Sequence, residues 1–106
     1  MEKKRIMLVC SAAMSTSLLV TKMKQAAIKK NIDVEINAVS EADLRNHIDD
    51  IDIILLGPQV RFILNKVKEQ VKSKNIPVDV INTMDYGMMN GEKVLEYALK
   101  ILNEKK

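Results

Sequence analysis

Two stretches of this chain, Ile6-Met7-Leu8-Val9 and Ile53-Ile54-Leu55-Leu56, are apolar at four successive positions. A strand with no polar face must be covered on both sides, which is the situation of a central strand in a parallel sheet flanked by helices. Four strands are expected, over 5–9, 34–38, 51–56 and 78–81. Glu35 and Asn37 interrupt the second and Asp79 the fourth, which places those two at the sheet edges. Right-handed crossovers then give a four-stranded parallel sheet of order 2-1-3-4 in a single three-layer α/β domain. Helical spacing fills the intervals. Leu19, Met23 and Ala27 share one face of a helix over 15–30, with Ser15, Thr16 and Ser17 available as caps. A long second helix is predicted after the Gly57-Pro58 turn, carrying Val60, Leu64, Val67 and Val71. A third covers 91–103 and buries Val94, Leu95, Ala98, Ile101 and Leu102. The stretch 40–46 has room only for a short helix, capped by Ser40.

No linker, repeat or low-complexity stretch divides the 106 residues, so 1–106 is read as one domain. A chain of this length can bury roughly 60–70% of its unfolded surface. Aromatic residues are 3% of the chain, so the core is aliphatic and the stacking platforms of single-stranded nucleic-acid binders are lacking. The net charge of +3 arises from 17 basic and 14 acidic residues, clustered only at Lys3, Lys4, Arg5 and at Lys105, Lys106. Such clusters are solvated ends, and no nucleic-acid partner is expected. No apolar run approaches the roughly 20 residues of a membrane helix. The N-terminus leads into a strand without a signal-peptide pattern, so a soluble cytoplasmic protein is expected. One cysteine forms neither an intramolecular disulfide nor a multi-thiolate zinc site, leaving Cys10 as packing or as a reactive thiol.

The predicted strand order decides in favour of the thiol. With order 2-1-3-4 the chain leaves strand 1 for one side of the sheet and strand 3 for the other. That opens a crevice at the carboxyl ends, and its flanking loops begin at Cys10 and Gly57. The loop Cys10-Ser11-Ala12-Ala13-Met14-Ser15-Thr16-Ser17 is small and hydroxyl-rich. Its amides, with the unpaired ones of the first helical turn, can converge on an anion, and the helix dipole favours negative charge there. The same donors suit a nucleophilic thiolate and a phosphoryl group bonded to it. Ser11, Ser15, Thr16 and Ser17 add hydroxyls, and Ala12, Ala13 and Met14 add amides. The Met14 side chain serves packing or a partner. Cysteine phosphatases of related layout place an arginine after five intervening residues, where its fork binds phosphate and promotes hydrolysis. Here that position is Thr16, and the loop has no Lys or Arg. A carrier that holds a thiophosphate without hydrolysing it is the leading reading. A small cysteine phosphatase or reductase, and a flavodoxin-like module with an inert Cys10, are the alternatives.

The chain resembles the IIB component of the lactose/cellobiose family of the bacterial phosphoenolpyruvate-dependent sugar phosphotransferase system. The likeness runs through Met1-Glu2-Lys3-Lys4, the loop from Cys10 to Leu19, Leu55-Leu56-Gly57-Pro58-Gln59 and Tyr86-Gly87. It implies a fold similar to low-molecular-weight tyrosine phosphatases. It also implies a phosphocysteine at Cys10, a IIA phosphohistidine donor, and a membrane IIC permease where the sugar is phosphorylated. Cellobiose, chitobiose and lactose are the implied sugars, with no cofactor and a monomeric carrier. Relatives commonly have glycine at the position of Ala13, and alanine would strain the loop by about 1–2 kcal/mol if positive φ were needed there.

Other residues carry weaker signals. Gly57, Pro58 and Gln59 are expected across the crevice from Cys10, with the Gln59 amide facing phosphate or partner. Tyr86 and Gly87 are expected at the same rim, with Asp85 in a loop or capping role rather than as a general acid. His47 reads as a surface side chain, and Asp49, Asp50 and Asp52 as solvated turn residues, so no metal is expected. Met84, Met88 and Met89 serve docking or loop packing.

Overall fold

The structure, a computed structural model, describes residues 3–10 and 13–104, and of 13–16 the backbone only. Strands β1 (Lys4–Cys10), β2 (Val34–Ser40), β3 (Ile53–Leu56) and β4 (Val78–Val80) form one parallel sheet of order β2-β1-β3-β4. The polar interruptions in β2 and β4 and the unbroken apolar runs in β1 and β3 therefore identified edges and centre correctly. Ile36 is the one fully buried residue of β2, whereas all four residues of β3 are buried.

Side chains along a strand alternate between the faces of the sheet, and the two central strands use this to supply two cores. Ile6, Leu8, Ile53 and Leu55 face α1 (Ala13–Lys29) and α4 (Gly91–Glu104), meeting Leu19, Met23, Val94 and Leu95. Met7, Val9, Ile54 and Leu56 face the opposite side, meeting Leu44, Val60, Ile63, Val67 and Val71. Each buried side chain of this size contributes about 1.5–3 kcal/mol of transfer free energy. In α4, Val94, Leu95 and Ala98 are fully buried, while Ile101 and Leu102 pack at the edge of the core.

Several boundaries differ from the sequence reading. Helix α1 begins at Ala13, so Ser15, Thr16 and Ser17 lie inside it and do not cap it. Its left-handed end residue is Asn31, with φ 58°, a conformation that asparagine tolerates. The long second helix is broken. A 3₁₀ segment Pro58–Ile63, kinked where Val60 leaves helical geometry, precedes the short α2 (Leu64–Gln70), and a 3₁₀ turn Lys72–Lys74 follows. The buried stripe is Val60, Ile63, Val67 and Val71, with Leu64 only partly buried. Strand β3 starts at Ile53 rather than Ile51, and just before it Asp52 joins Arg5 twice, its amide donating to the Arg5 carbonyl at 2.9 Å and its carboxylate accepting from the Arg5 amide at 2.7 Å. The stretch after β2 is a 3₁₀ segment Glu41–Asn46. Ser40 does not cap it; its hydroxyl instead donates to Asp43 Oδ2 at 3.4 Å. A short helix α3 (Thr83–Gly87) carries Asp85, for which a loop or capping role is expected, together with Tyr86 and Gly87; it is capped by Asn82 Oδ1 accepting from the amides of Met84 and Asp85.

Candidate functional site

Strand β1 delivers Cys10 to the carboxyl edge of the sheet, opposite Ser40 of β2. Its side chain is fully buried. On its other flank lies Gly57, directly after β3, whose amide donates to the Val9 carbonyl at 2.8 Å. A β-carbon built on Gly57 would stand 3.6 Å from Cys10 Cβ, so Cys10 and the start of the loop after β3 lie side by side. Ser11 and Ala12, and the side chains of Ala13, Met14, Ser15 and Thr16, lie outside the described residues. Ser17 is exposed in the second turn of α1, where its carbonyl accepts the Thr21 hydroxyl at 3.1 Å.

The far wall is built from two elements. Pro58 starts the 3₁₀ segment after Gly57, which turns Gln59 outward. Gln59 Nε2 donates to Tyr86 Oη at 3.0 Å, so α3 is tied to the end of β3. The sequence reading placed Gln59 and Tyr86 on one rim but did not foresee their bond. Gly87 closes α3 with open space around it. The three methionines separate: Met84 and Met88 are each 71% exposed, whereas Met89 packs on the core with φ 54°.

A cleft of about 270 Å³ lies beside α3, lined by Val80, Ile81, Asn82, Asp85, Val94 and Tyr97, but not by Cys10. Its polar lining is engaged structurally, since Asn82 caps α3 and the Tyr97 hydroxyl donates to Asp79. The pKa of Tyr97 is pushed up to about 12, chiefly by burial and then by the hydrogen bond and negative charge of Asp79.

The carboxylates near β3 are held in pairs: Asp49 with Lys74, Asp50 with Arg5 at 3.7 Å, and Asp52 with the Arg5 amide. His47 is exposed between two 3₁₀ turns. Among the described residues no helix is long and apolar enough to cross a membrane.

The comparisons with known proteins agree with this layout. The family model described as PTS system, Lactose/Cellobiose specific IIB subunit matches residues 5–97. A PTS system galactose-specific EIIB component from Lactococcus lactis subsp. cremoris is 45% identical, covering 97% of this chain and 100% of that one. A PTS system cellobiose-specific EIIB component from Lactococcus lactis subsp. lactis is 45% identical over the same shares. The solution structure of a cellobiose-specific phosphotransferase IIB component protein from Borrelia burgdorferi superposes with a TM-score of 0.82 at 46% identity, covering 99% of this chain and 96% of that one. A near full-length match in sequence and in fold, with the only cysteine at the end of a central strand, places this chain in the lactose/cellobiose-specific IIB subunit family of the PTS.

Proposed function

We propose that this chain carries a phosphoryl group on Cys10 between a IIA partner and a sugar held by a membrane IIC permease. The Cys10 thiolate attacks the phosphorus of a IIA phosphohistidine. The S–P bond forms as the N–P bond breaks, and the electron pair returns to the imidazole. A hydroxyl of the sugar then attacks the same phosphorus. The S–P bond breaks, the thiolate is regenerated, and the hydroxyl proton passes to a base. The sugar class is a β-linked disaccharide such as cellobiose, chitobiose or lactose, a reading that the cellobiose-specific names of two relatives support.

In this reading residues 11–17 supply the amides and hydroxyls that hold the phosphoryl oxygens. Gly57, Pro58, Gln59, Tyr86 and Gly87 form the rim that the partners meet. Residues 1–106 act as one monomeric unit in the cytoplasm, visiting the membrane only while docked on IIC, and need neither metal nor cofactor. Phosphorylation adds roughly 1.5–2 negative charges at the crevice, which biases the exchange of one partner for the other. Because Cys10 is fully buried, docking must open a path to its sulfur.

The observation that carries the proposal is the position of Cys10, at the end of a central strand and against Gly57, in a chain of this family. The test is intact-mass analysis after incubation with phosphoenolpyruvate and the upstream phosphocarriers. A gain of one phosphate that Cys10→Ala abolishes is expected. No gain in the native chain overturns the proposal.

A further inference from the structure

Next to Gly57, a side-chain bond ties two elements together. Gln59 is an exposed side chain, and an exposed glutamine ordinarily keeps its rotamer freedom in water. Here its carboxamide is held by a hydrogen bond at one end and lies over Gly57 at the other. Nε2 donates to Tyr86 Oη at 3.0 Å, across 27 residues of chain. Oε1 lies 2.6 Å from the point where a β-carbon on Gly57 would stand, and that point is 3.6 Å from Cys10 Cβ. The carboxamide and the cysteine therefore flank the same residue.

Gly57 itself supports a reason for this arrangement. Its φ of −63° and ψ of 148° suit any amino acid, so backbone freedom does not explain a glycine here. Space does, because a methyl group would displace the Gln59 carboxamide while making only an ordinary contact with Cys10.

Resting on the reading of Cys10 as phosphoryl acceptor, we propose that Gln59 contacts the phosphoryl group on Cys10 through the second N–H of its amide, and that Tyr86 is the residue positioning it. A carboxamide has two N–H donors, and Tyr86 takes one. The loop on the other side has no Lys or Arg, so its donors are neutral. A neutral donor on the opposite wall stabilises the equatorial oxygens of an in-line transfer. It does so without the guanidinium fork that a hydrolase uses. The pair thus adds transition-state binding while leaving the thiophosphate intact for the next acceptor.

The test is single-turnover transfer from the phosphohistidine form of the IIA partner, with ³¹P resonance titration of the phosphorylated chain. Tyr86→Phe keeps the ring and removes the oxygen, and Gly57→Ala pushes the carboxamide aside. Each is expected to slow the maximal transfer rate about tenfold, the loss of one hydrogen bond to a charged group, with the donor concentration for half-maximal rate unchanged. Gln59→Glu keeps the shape but removes the donor and adds a charge, and is expected to slow transfer by about 100-fold or more. Adding Tyr86→Phe to Gln59→Ala should slow it no further, because the two residues act as one unit. In Gln59→Ala the thiophosphate dianion should take up a proton to become the monoanion at higher pH, a change that mere loosening of the wall does not produce.

Wild-type rates and an unmoved ³¹P titration in Tyr86→Phe and Gln59→Ala would overturn the inference while leaving Cys10 as acceptor. A raised half-maximal donor concentration at unchanged maximal rate also overturns it, by assigning the pair to docking. A wild-type chain that takes up no phosphate overturns the acceptor reading, and this inference with it.

Discussion

Substituting Gly91 by alanine measures how closely α4 is seated on α1. Gly91 is buried at the start of α4. A β-carbon built on it would lie 2.5 Å from the carbonyl carbon of Lys22, 2.5 Å from the amide nitrogen of Met23 and 2.6 Å from Lys22 Cβ. The first two are backbone atoms within α1, so no side-chain rotation relieves the clash. Carbon contacts settle at about 3.5–4.0 Å, so the start of α4 must retreat by about 1 Å. Such a shift loosens Val94 and Leu95 against Leu19 and Met23, which share one core. Overpacking of this kind costs about 1–3 kcal/mol, and alanine's helix preference over glycine returns at most about 1 kcal/mol. The expected net loss is about 1–2 kcal/mol, which lowers Tm by roughly 5–12 °C in a domain of this size. Urea unfolding followed by circular dichroism should show a lower midpoint at unchanged slope. Gly57→Ala is the control. Its nearest obstacle is the movable end of Gln59, so its stability should stay within about 0.5 kcal/mol of wild type. A Gly91→Ala midpoint equal to or above that of the native protein would refute the close-approach argument.

Three other outcomes are expected. Leu95→Ala, at a fully buried site of the α1/α4 core, should lose about 2–5 kcal/mol in the same urea assay. Asn82→Ala removes the cap of α3 and should cost about 1 kcal/mol; because α3 carries Tyr86, the rate of phosphoryl uptake in quench-flow should fall as well. Tyr97 has a folded pKa pushed up to about 12 from 10.0, so its contribution to stability is fully present below pH 10 and is lost as pH rises towards 12. The neutral phenol donates to Asp79, whereas the phenolate is repelled by it. Tyr97 is 37% exposed, so solvent screens the effect. Tyr97→Phe should flatten the alkaline limb of the stability profile, and difference ultraviolet titration against wild type should place its phenolate transition above pH 10. An unchanged alkaline limb would count against the Asp79 contact.

The sequence by itself determined the sheet order and the place of the cysteine. Strands covered on both faces cannot carry polar residues, and half-covered ones can, so Glu35, Asn37 and Asp79 marked the edges while β1 and β3 read as unbroken apolar runs. A crevice between the loops after β1 and β3 follows from that order, and Cys10 and Gly57 stand on its two sides. Periodicity failed where different backbones share a spacing. Apolar spacing reports which side of a segment faces the core and not how tightly a single turn is wound, so the break at Val60 and the burial of Ile63 in place of Leu64 were not legible. Ser15, Thr16 and Ser17 read as caps because their hydroxyls suit that role, yet the helix had already begun at Ala13. The tertiary structure alone decided what joins residues distant in the chain: Gln59 with Tyr86, Tyr97 with Asp79, and Gly91 with the backbone of Lys22 and Met23. Local sequence states each residue's donors and volume, but which partner those meet depends on how the layers pack, and only three-dimensional coordinates hold that.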